Sequence, residues 1–130
     1  AGEGGRGILE ATSLALRAVS SPSVDPLVWL GPCIGPRAFE VGAEVRDAFT
    51  SADPAAAGCF NPLPAAGKFL ADLPALARLR LRAMGITRIH SNDGSDSWCT
   101  VTQSSRFFSH RRDAARLGST GRMAACIWRG

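Results

Sequence analysis

The chain has 130 residues, of which 45% are hydrophobic, and it carries a formal net charge of +4. The length suits one domain with one core, the hydrophobic content excludes global disorder, and Pro, Gly or Arg interrupts every apolar run before it could cross a membrane. The start of the chain also lacks the basic segment and continuous apolar core of a signal peptide, so we expect a cytoplasmic protein.

The first part of the chain predicts two helices and one strand. Residues 8–19 predict a helix because six side chains recur on one face at helical spacing: Ile8, Ala11, Thr12, Ala15, Leu16 and Val19. A breaker loop at 20–26 precedes 27–31, a short apolar run that is typical of a buried strand. Two Gly-Pro steps bend the backbone at 31–36, and the apolar spacing of 40–49 predicts a second helix.

A third helix follows a loop rich in Ala, Pro and Gly at 51–67. It begins near Pro74, a residue favoured in the first turn, and Gly85 suits its C-cap. Its apolar stripe consists of Leu73, Leu76, Ala77, Leu81 and Met84. Arg78 and Arg82 lie outside this stripe, so we expect them to point away from it.

The last part of the chain predicts mainly strands. Residues 86–90 alternate between polar and apolar, and a turn-rich loop follows at 91–97. The remaining strand candidates are 106–110 and 121–128. Helices and strands therefore alternate along a single domain, 1–130, which predicts a mixed α and β fold.

Four cysteines lie far apart and form no CxxC pair: Cys33, Cys59, Cys99 and Cys126. We interpret them as reduced, packing thiols, although their even number leaves disulfides open. A nucleophilic role for Cys99 would require a base that lowers its pKa, and the sequence shows none. His110 could act as an acid or base because its reference pKa is near neutrality. No HxxxH or CxxC spacing links the histidines to Cys99, so the sequence predicts no complete metal site within the chain.

Charge is distributed unevenly. Residues 1–65 contain four basic and seven acidic side chains, whereas 66–130 contain eleven basic and four acidic ones, a balance of +7. Fourteen of the fifteen basic residues are Arg, whose planar fork suits phosphate or carboxylate. The basic half could therefore draw in an anion. A GC-rich genome, which would make Ala, Gly and Arg abundant throughout the chain, explains the same count of arginines.

Three stretches carry signatures in a fixed order. Residues 29–49 contain Leu-Gly-Pro-x-Ile-Gly-Pro followed by Glu-Val-Gly, and 72–86 combine a helix with the start of a strand. Residues 99–113 and 120–128 contain Cys-Thr, Phe-Phe-Ser-x-Arg-Arg-Asp and Thr-Gly-Arg-Met-Ala. Together they resemble the second half of the domain of laccase-like polyphenol oxidases, a family also described as purine nucleoside phosphorylases and a peptidoglycan editing factor.

The resemblance implies an α+β fold, a mixed β-sheet layered sandwich with helices of the cytotoxic-necrotizing-factor and polyphenol-oxidase type. It implies that 1–130 is the C-terminal portion of a longer laccase-like domain. In that family zinc or copper is held by two His and one Cys of the first half, and the last His belongs to a His-Ala-Gly motif whose tail resembles Ala1 and Gly2. The metal ligands are therefore expected upstream of Ala1, and none in this chain.

The resemblance also implies that Ser109, Arg111 and Arg112 lie near the catalytic pocket. Arg122 follows a Thr-Gly turn, where it could donate to the same anion or cap a carbonyl. We expect these four residues to bind substrate. The alternative for the arginines is a structural ion pair, for example with Asp113.

The expected function is that of a metal-dependent purine nucleoside enzyme that performs phosphorolysis or deamination of adenosine or inosine, or of a polyphenol oxidase of the same family. Its partners would be a purine nucleoside and phosphate, with no membrane, while a homo-oligomer stays open. The alternative is a non-enzymatic basic module that binds nucleic acid or another polyanion. Nucleic acid is the weaker choice because no RNA-binding aromatic motif is present.

Overall fold

The computed structural model describes residues 7–20 and 25–118. In these ranges the helices are α1 (Ile8–Val19), α2 (Ala43–Ala52), α3 (Leu73–Ala83) and α4 (His110–Leu117), and the strands are β1 (Leu27–Leu30), β2 (Glu40–Gly42), β3 (Phe60–Pro62), β4 (Lys68–Ala71) and β5 (Arg88–Ser91). The predicted α+β class is confirmed. None of the helices in this part of the chain combines the length and hydrophobicity needed to cross a bilayer.

α3 begins and ends close to where the sequence predicts. The carboxylate of Asp72 caps its start by accepting a hydrogen bond from the Ala75 N–H at 3.1 Å, and Pro74 occupies the first turn. Gly85 follows the C-cap residue with a φ of +82°, a left-handed conformation that lets the chain leave the helix. Arg82 is exposed, as predicted.

Replacing the cap residue of α3 tests this local account. We expect Asp72→Ala to lower the free energy of unfolding by about 1 kcal/mol, the usual cost of losing an N-cap carboxylate. Urea unfolding followed by circular dichroism would measure it. Asp47→Ala, on the exposed side of α2, is the control, and equal losses in the two variants would contradict the capping role.

The main core packs against an antiparallel sheet in which β4 lies between β2 and β3. Its buried residues are Val41, Ala56, Phe60, Ala71 and Leu76. Phe49 and Phe60 contact each other with ring centroids 6.0 Å apart. This core joins α2 and α3 to the sheet and fixes the start of β2, which lies beside the candidate site described below.

Pairing with β4 overrides the local pattern in two places. The predicted helix over 40–49 is wrong at Glu40–Gly42, which form β2, and the helix itself extends to Ala52. The predicted loop over 51–67 contains a 3-10 helix at Pro54–Cys59 and then β3. The partner of β2 lies far away in sequence, whereas β3 pairs with β4 across the short loop 63–67. Both strands are only three residues long, so local spacing does not reveal them.

β1 and β5 form a parallel pair, with Leu27 opposite Arg88 and Trp29 opposite His90. The predicted strands are confirmed at Leu27–Leu30 and, shifted by about one or two residues, at Arg88–Ser91. The predicted burial of the first strand is wrong, since Leu27 is 56% exposed and Trp29 is 48% exposed. One face of this pair is open among the described residues.

α1 has the predicted bounds, but its apolar face is exposed. All six residues that define this face are exposed, among them Ile8 at 79% and Val19 at 84%. On the opposite, polar side, Glu10 accepts a hydrogen bond from Arg80 of α3 at 2.6 Å and Arg17 donates to the Met84 carbonyl at 3.1 Å. Most of the apolar face is therefore turned away from the rest of the described chain, although Ile8 borders a cavity that Leu73 and Ala77 of α3 also line.

The segment 106–110 is not the predicted strand. A turn ends at Arg106, residues 107–109 have no regular structure, and Ser109 is the N-cap of α4. The Ser109 hydroxyl accepts a hydrogen bond from the Arg112 N–H at 3.2 Å, which starts the helix at His110. The strand predicted over 121–128 lies outside the described residues.

Candidate functional site

Two loops meet beyond the carboxyl ends of β1 and β5. The buried Asn92 side chain donates to the Gly31 carbonyl at 2.7 Å and to the Cys33 sulfur at 3.3 Å. Cys33 and Cys99 form an isolated parallel bridge, in which the Thr100 N–H donates to the Cys33 carbonyl at 2.9 Å. The carboxyl edge of parallel strands is where α/β proteins usually bind ligands. We therefore take these two loops, together with the starts of β2 and α4 into which they run (residues 31–40 and 91–113), as the candidate site.

α3 fixes the second of these loops. The Arg78 guanidinium lies outside the apolar stripe, as predicted, but it is engaged with protein rather than with solvent. It donates to the Asn92 carbonyl at 2.6 Å and also to the Ser91 carbonyl. Ser91 has a φ of +66°, so the chain turns sharply there. The arginine thus holds the end of β5 and the start of the loop against α3.

Cys99 is the most enclosed thiol of the site, with 2% of its surface exposed. Its sulfur accepts a hydrogen bond from the Gly35 N–H at 3.2 Å. Burial alone would raise the pKa of the Cys99 thiol, but hydrogen bonds from Thr102, Gly35 and Val101 outweigh burial and lower it below the usual value. Burial raises the pKa of the Cys33 thiol. The predicted packing role of Cys99 agrees with its burial, while the amide donors set its chemistry apart from that of Cys33.

Gly35 is needed because the backbone passes close to Cys99. A Cβ atom at residue 35 would lie 3.1 Å from the Cys99 Cβ and 3.2 Å from its sulfur. We expect Gly35→Ala to cost about 1–3 kcal/mol of stability through overpacking. Gly58→Ala is the matched control, because no atom lies within 4 Å of a Cβ there. Urea unfolding of both variants would measure the difference, and similar midpoints would contradict the close approach.

Arg112 ties the second loop to α4. Its Nη1 donates to the carbonyls of Thr100 and Val101 at 2.7 and 2.9 Å. Its Nη2 donates to the Phe107 carbonyl at 2.9 Å and to Asp113 Oδ2 at 2.8 Å, and its Nε donates to Asp113 Oδ1 at 2.8 Å. A guanidinium has five N–H donors, and all of them are used here. No donor of Arg112 is left for a ligand in this conformation.

Asp113 completes the start of α4. It is buried, and besides the Arg112 contacts its Oδ2 accepts a hydrogen bond from the Ser109 N–H at 3.4 Å. Hydrogen bonding from Arg112 lowers the pKa of the Asp113 carboxyl below its usual value, against the opposite effect of burial. Ser109 is buried as well, and its hydroxyl serves as the helix cap.

The lowered pKa of Asp113 predicts a contribution to acid unfolding. Because the folded pKa lies below the unfolded one, the ionised carboxylate stabilises the fold fully above about pH 4. This stabilisation is lost as the pH falls through the folded pKa. We expect Asp113→Asn to show a shallower dependence of the thermal midpoint on pH below about 4 than the wild type. Asp47→Asn is the control, and unchanged slopes in both variants would refute the assignment.

Arg111 differs from its neighbour because it is exposed. Its Nη1 donates to the Glu40 carbonyl at 2.9 Å, and its guanidinium carbon lies 5.4 Å from the Phe39 ring centroid. These contacts place a cation where α4 meets the first loop. No second protein acceptor holds this guanidinium within the described residues, so most of its N–H donors can reach a ligand. His110, also exposed, precedes it at the start of α4.

The described residues do not provide a metal site. Across residues 7–20 and 25–118, no group of three or more His, Cys, Asp or Glu side chains is arranged to hold a metal ion. Such a group is the minimum that zinc usually takes from a protein. The residues at hand therefore do not fit zinc or copper.

The structure brings three of the predicted site residues together and separates their roles. Ser109, Arg111 and Arg112 share the start of α4, whereas Arg122 lies outside the described residues. Sequence reasoning missed Asn92. The bend expected at 31–36 hinted at Gly35, but nothing in the local pattern marks Asn92, because its partners are distant in sequence.

Known proteins resemble this chain over nearly its whole length. Residues 2–130 match the family model described as multi-copper polyphenol oxidoreductase laccase. A purine nucleoside phosphorylase of Pseudomonas aeruginosa is 46% identical over 122 residues, which cover 94% of this chain and 46% of that protein. One from Escherichia coli K12 is 49% identical over 102 residues, which cover 78% of this chain and 38% of that protein.

A solved structure supports the fold. The crystal structure of a Neisseria meningitidis protein matches with a TM-score of 0.68 and 43% identity, over 80% of this chain and 41% of that one. The chain thus spans about half the length or less of the relatives it matches, from 46% down to 38% in these cases.

Proposed function

Because the chain belongs to the multi-copper polyphenol oxidoreductase laccase family, we propose that it forms part of an enzyme that cleaves purine nucleosides with phosphate. The relatives named purine nucleoside phosphorylase support this choice of reaction, and the candidate site supports binding of the anion. Deamination of adenosine and oxidation of phenols are alternative activities within the same family. They are decided by the experiment below.

The observation that carries the proposal is the exposed guanidinium of Arg111. It lies where the two loops and α4 meet, with one N–H engaged by the Glu40 carbonyl. The planar fork of an arginine matches phosphate oxygens, and such charge-assisted hydrogen bonds are among the strong ones in proteins. In phosphorolysis, Arg111 would hold phosphate oxygens and orient the anion towards the nucleoside.

The other predicted substrate residues take different roles in this proposal. Arg112 and Ser109 position Arg111, because they fix the first turn of α4 and the loop that packs beneath it. Arg122 is proposed as a second anion contact. Cys99 takes no part in the proposed reaction, because its buried sulfur accepts a hydrogen bond from the Gly35 N–H.

Dependence on zinc or copper is also part of the proposal, as the resemblance implies. The metal would activate a nucleophile or polarise the substrate. Its ligands would come from residues other than those described, since these form no suitable group. The described residues contribute anion binding and loop geometry.

The test is an assay of the full-length gene product with inosine and phosphate. We expect hypoxanthine release that requires phosphate. Conversion of adenosine to inosine without phosphate would favour deamination, and oxygen consumption with a phenol would favour the oxidase. Salt-sensitive binding of a polyanion without any turnover would instead favour the non-enzymatic basic module.

A variant pair sharpens this assay. Arg111→Ala is expected to raise the KM for phosphate by about 10- to 100-fold, which corresponds to one lost charge-assisted hydrogen bond. Arg82→Ala, which removes an exposed guanidinium on α3, is the control and should leave the KM unchanged. An unchanged KM in Arg111→Ala would remove Arg111 from the anion site.

A further inference from the structure

We propose that Cys33 and Cys99 form a modification site, at which a peroxide oxidant joins the two sulfurs in a reversible disulfide. The sequence leaves disulfides open among its four cysteines, and both of these thiols are free in the structure. The disulfide would connect the two loops of the candidate site covalently. It uses side chains that take no part in the proposed reaction, so it goes beyond the proposed function.

The first argument is the backbone pairing of the two cysteines. The Cys33 N–H donates to the Trp98 carbonyl at 3.2 Å, and the Thr100 N–H donates to the Cys33 carbonyl at 2.9 Å. These two hydrogen bonds place Cys33 directly opposite Cys99 in a parallel bridge. Paired strands lie about 4.8 Å apart, and the Cα atoms of a disulfide usually lie roughly 4.4–6.8 Å apart. The backbone therefore already has the spacing that a disulfide requires.

The second argument is that the two sulfurs are neighbours. Burial raises the pKa of the Cys33 thiol, and the Cys99 sulfur raises it further, because a negative charge on one sulfur disfavours a second charge nearby. The Asn92 Nδ2 donates to the Cys33 sulfur at 3.3 Å. Asn92 belongs to the same loop as Cys99, so it holds the Cys33 sulfur against that loop.

The third argument is the difference in reactivity between the two thiols. Burial alone would raise the pKa of the Cys99 thiol, but hydrogen bonds from Thr102, Gly35 and Val101 lower it below the usual value. The thiolate is the form of cysteine that reacts as a nucleophile. Cys33 retains its proton and donates it to the Ile34 carbonyl at 3.5 Å. A readily ionised thiol beside a second, resolving thiol is typical of cysteine pairs that respond to oxidants.

The burial of the pair decides the kind of oxidant. Cys99 is only 2% exposed and Cys33 is half-buried. A bulky disulfide such as oxidised glutathione would have to place its own sulfur against Cys99, for which the closed loops leave little space. Hydrogen peroxide needs only one oxygen atom to reach the sulfur. We therefore expect a small peroxide to react in preference to a disulfide reagent.

The oxidation takes place in two steps. The Cys99 thiolate attacks one oxygen of hydrogen peroxide, so an S–O bond forms, the O–O bond breaks and hydroxide leaves. The Cys33 sulfur then attacks the sulfenic sulfur of Cys99, so the S–S bond forms, the S–O bond breaks and a second hydroxide leaves. The two hydroxides take up the two thiol protons and become water. The thiols lose two electrons to the peroxide, and a dithiol reductant restores them by exchange.

Peptide mapping of the full-length gene product tests the proposal. The reduced protein would be treated with hydrogen peroxide, its remaining thiols blocked with N-ethylmaleimide, and the product digested with trypsin without a reductant. Cleavage after Lys and Arg leaves the four cysteines of this chain on separate peptides, which are 18–37, 47–68, 89–106 and 123–129. We expect mass spectrometry to detect 18–37 joined to 89–106, and dithiothreitol to remove this linked species.

Two serine substitutions supply the matched comparison. Cys33→Ser should abolish the linked species and leave Cys99 as a sulfenic acid that dimedone labels, because the resolving thiol is missing. Cys59→Ser should retain the linked species at the wild-type level. Cys59 is also half-buried, but no bridge pairs it with another cysteine among the described residues. Mapping of the wild-type protein gives a result that does not depend on the folding of either variant.

Three results would overturn the proposal. They are peroxide-treated protein without the linked species, a disulfide that joins Cys33 or Cys99 mainly to a third cysteine, and loss of the linked species in Cys59→Ser as well as in Cys33→Ser. These measurements detect a covalent bond and do not use nucleoside turnover. Failure of this proposal is therefore distinguishable from failure of the proposed function.

Discussion

Arg112→Lys is expected to destabilise the protein much more than the same substitution at the neighbouring Arg111. A lysine has one ammonium group in place of the planar guanidinium, so it cannot reach the carbonyls of Thr100, Val101 and Phe107 together with both oxygens of Asp113. Those acceptors are held by this one side chain, and Asp113 would be left buried with a weakened partner. The loop 99–107 and the first turn of α4 should therefore loosen together.

Thermal unfolding and hydrogen exchange would measure the effect of Arg112→Lys. We expect a lower midpoint and faster exchange of the amides of the loop 99–107. Arg111→Lys is the matched control on the adjacent residue, and it should leave the midpoint nearly unchanged while it weakens phosphate binding. If Arg111→Lys destabilised the fold as much as Arg112→Lys did, the division between a structural and a ligand-binding arginine would be refuted.

Leu76→Ala is expected to cost about 2–5 kcal/mol of stability, the range for a leucine removed from a packed core. Leu76 is only 2% exposed and belongs to the core cluster with Val41, Phe60 and Ala71. Removing it would leave a cavity between α3 and the antiparallel sheet. The free energy of unfolding of most proteins is about 5–15 kcal/mol, so a loss of that size is a large fraction of it.

Urea unfolding of Leu76→Ala would test this, with Leu14→Ala as the control of the same chemical change. Leu14 is 58% exposed, so its truncation should change the free energy of unfolding by no more than about 0.5 kcal/mol. Comparable losses of unfolding free energy in the two variants would contradict the burial of Leu76 in the core.

The sequence predicts part of the candidate site and misses the rest for a definite reason. The motif of residues 107–113 pointed to Ser109, Arg111 and Arg112 as site residues but not to the helix α4 that carries them, and the Gly-Pro steps pointed to the loop at 31–36. The sequence did not distinguish the role of Arg111 from that of Arg112, because neighbouring arginines look alike until their hydrogen-bond acceptors are known. The N-cap role of Ser109 was within reach of sequence reasoning, because serine is a preferred N-cap, but the apparent strand pattern of 106–110 obscured it.

By itself, the sequence determined the family, the α+β class, the extents of α1 and α3 and the position of β1. These follow from motifs, helical spacing and residues such as Pro74 and Gly85, whose effects are local. Only the tertiary structure decided that Glu40–Gly42 pairs as a strand, that Arg112 spends all its donors on protein acceptors, and that α1 turns its apolar face outwards. The strand and the orientation of α1 depend on partners far away in the chain, and local spacing cannot specify which of two faces will find its partner. The acceptors of Arg112 are closer in sequence, but only the folded loop before α4 brings them around one guanidinium.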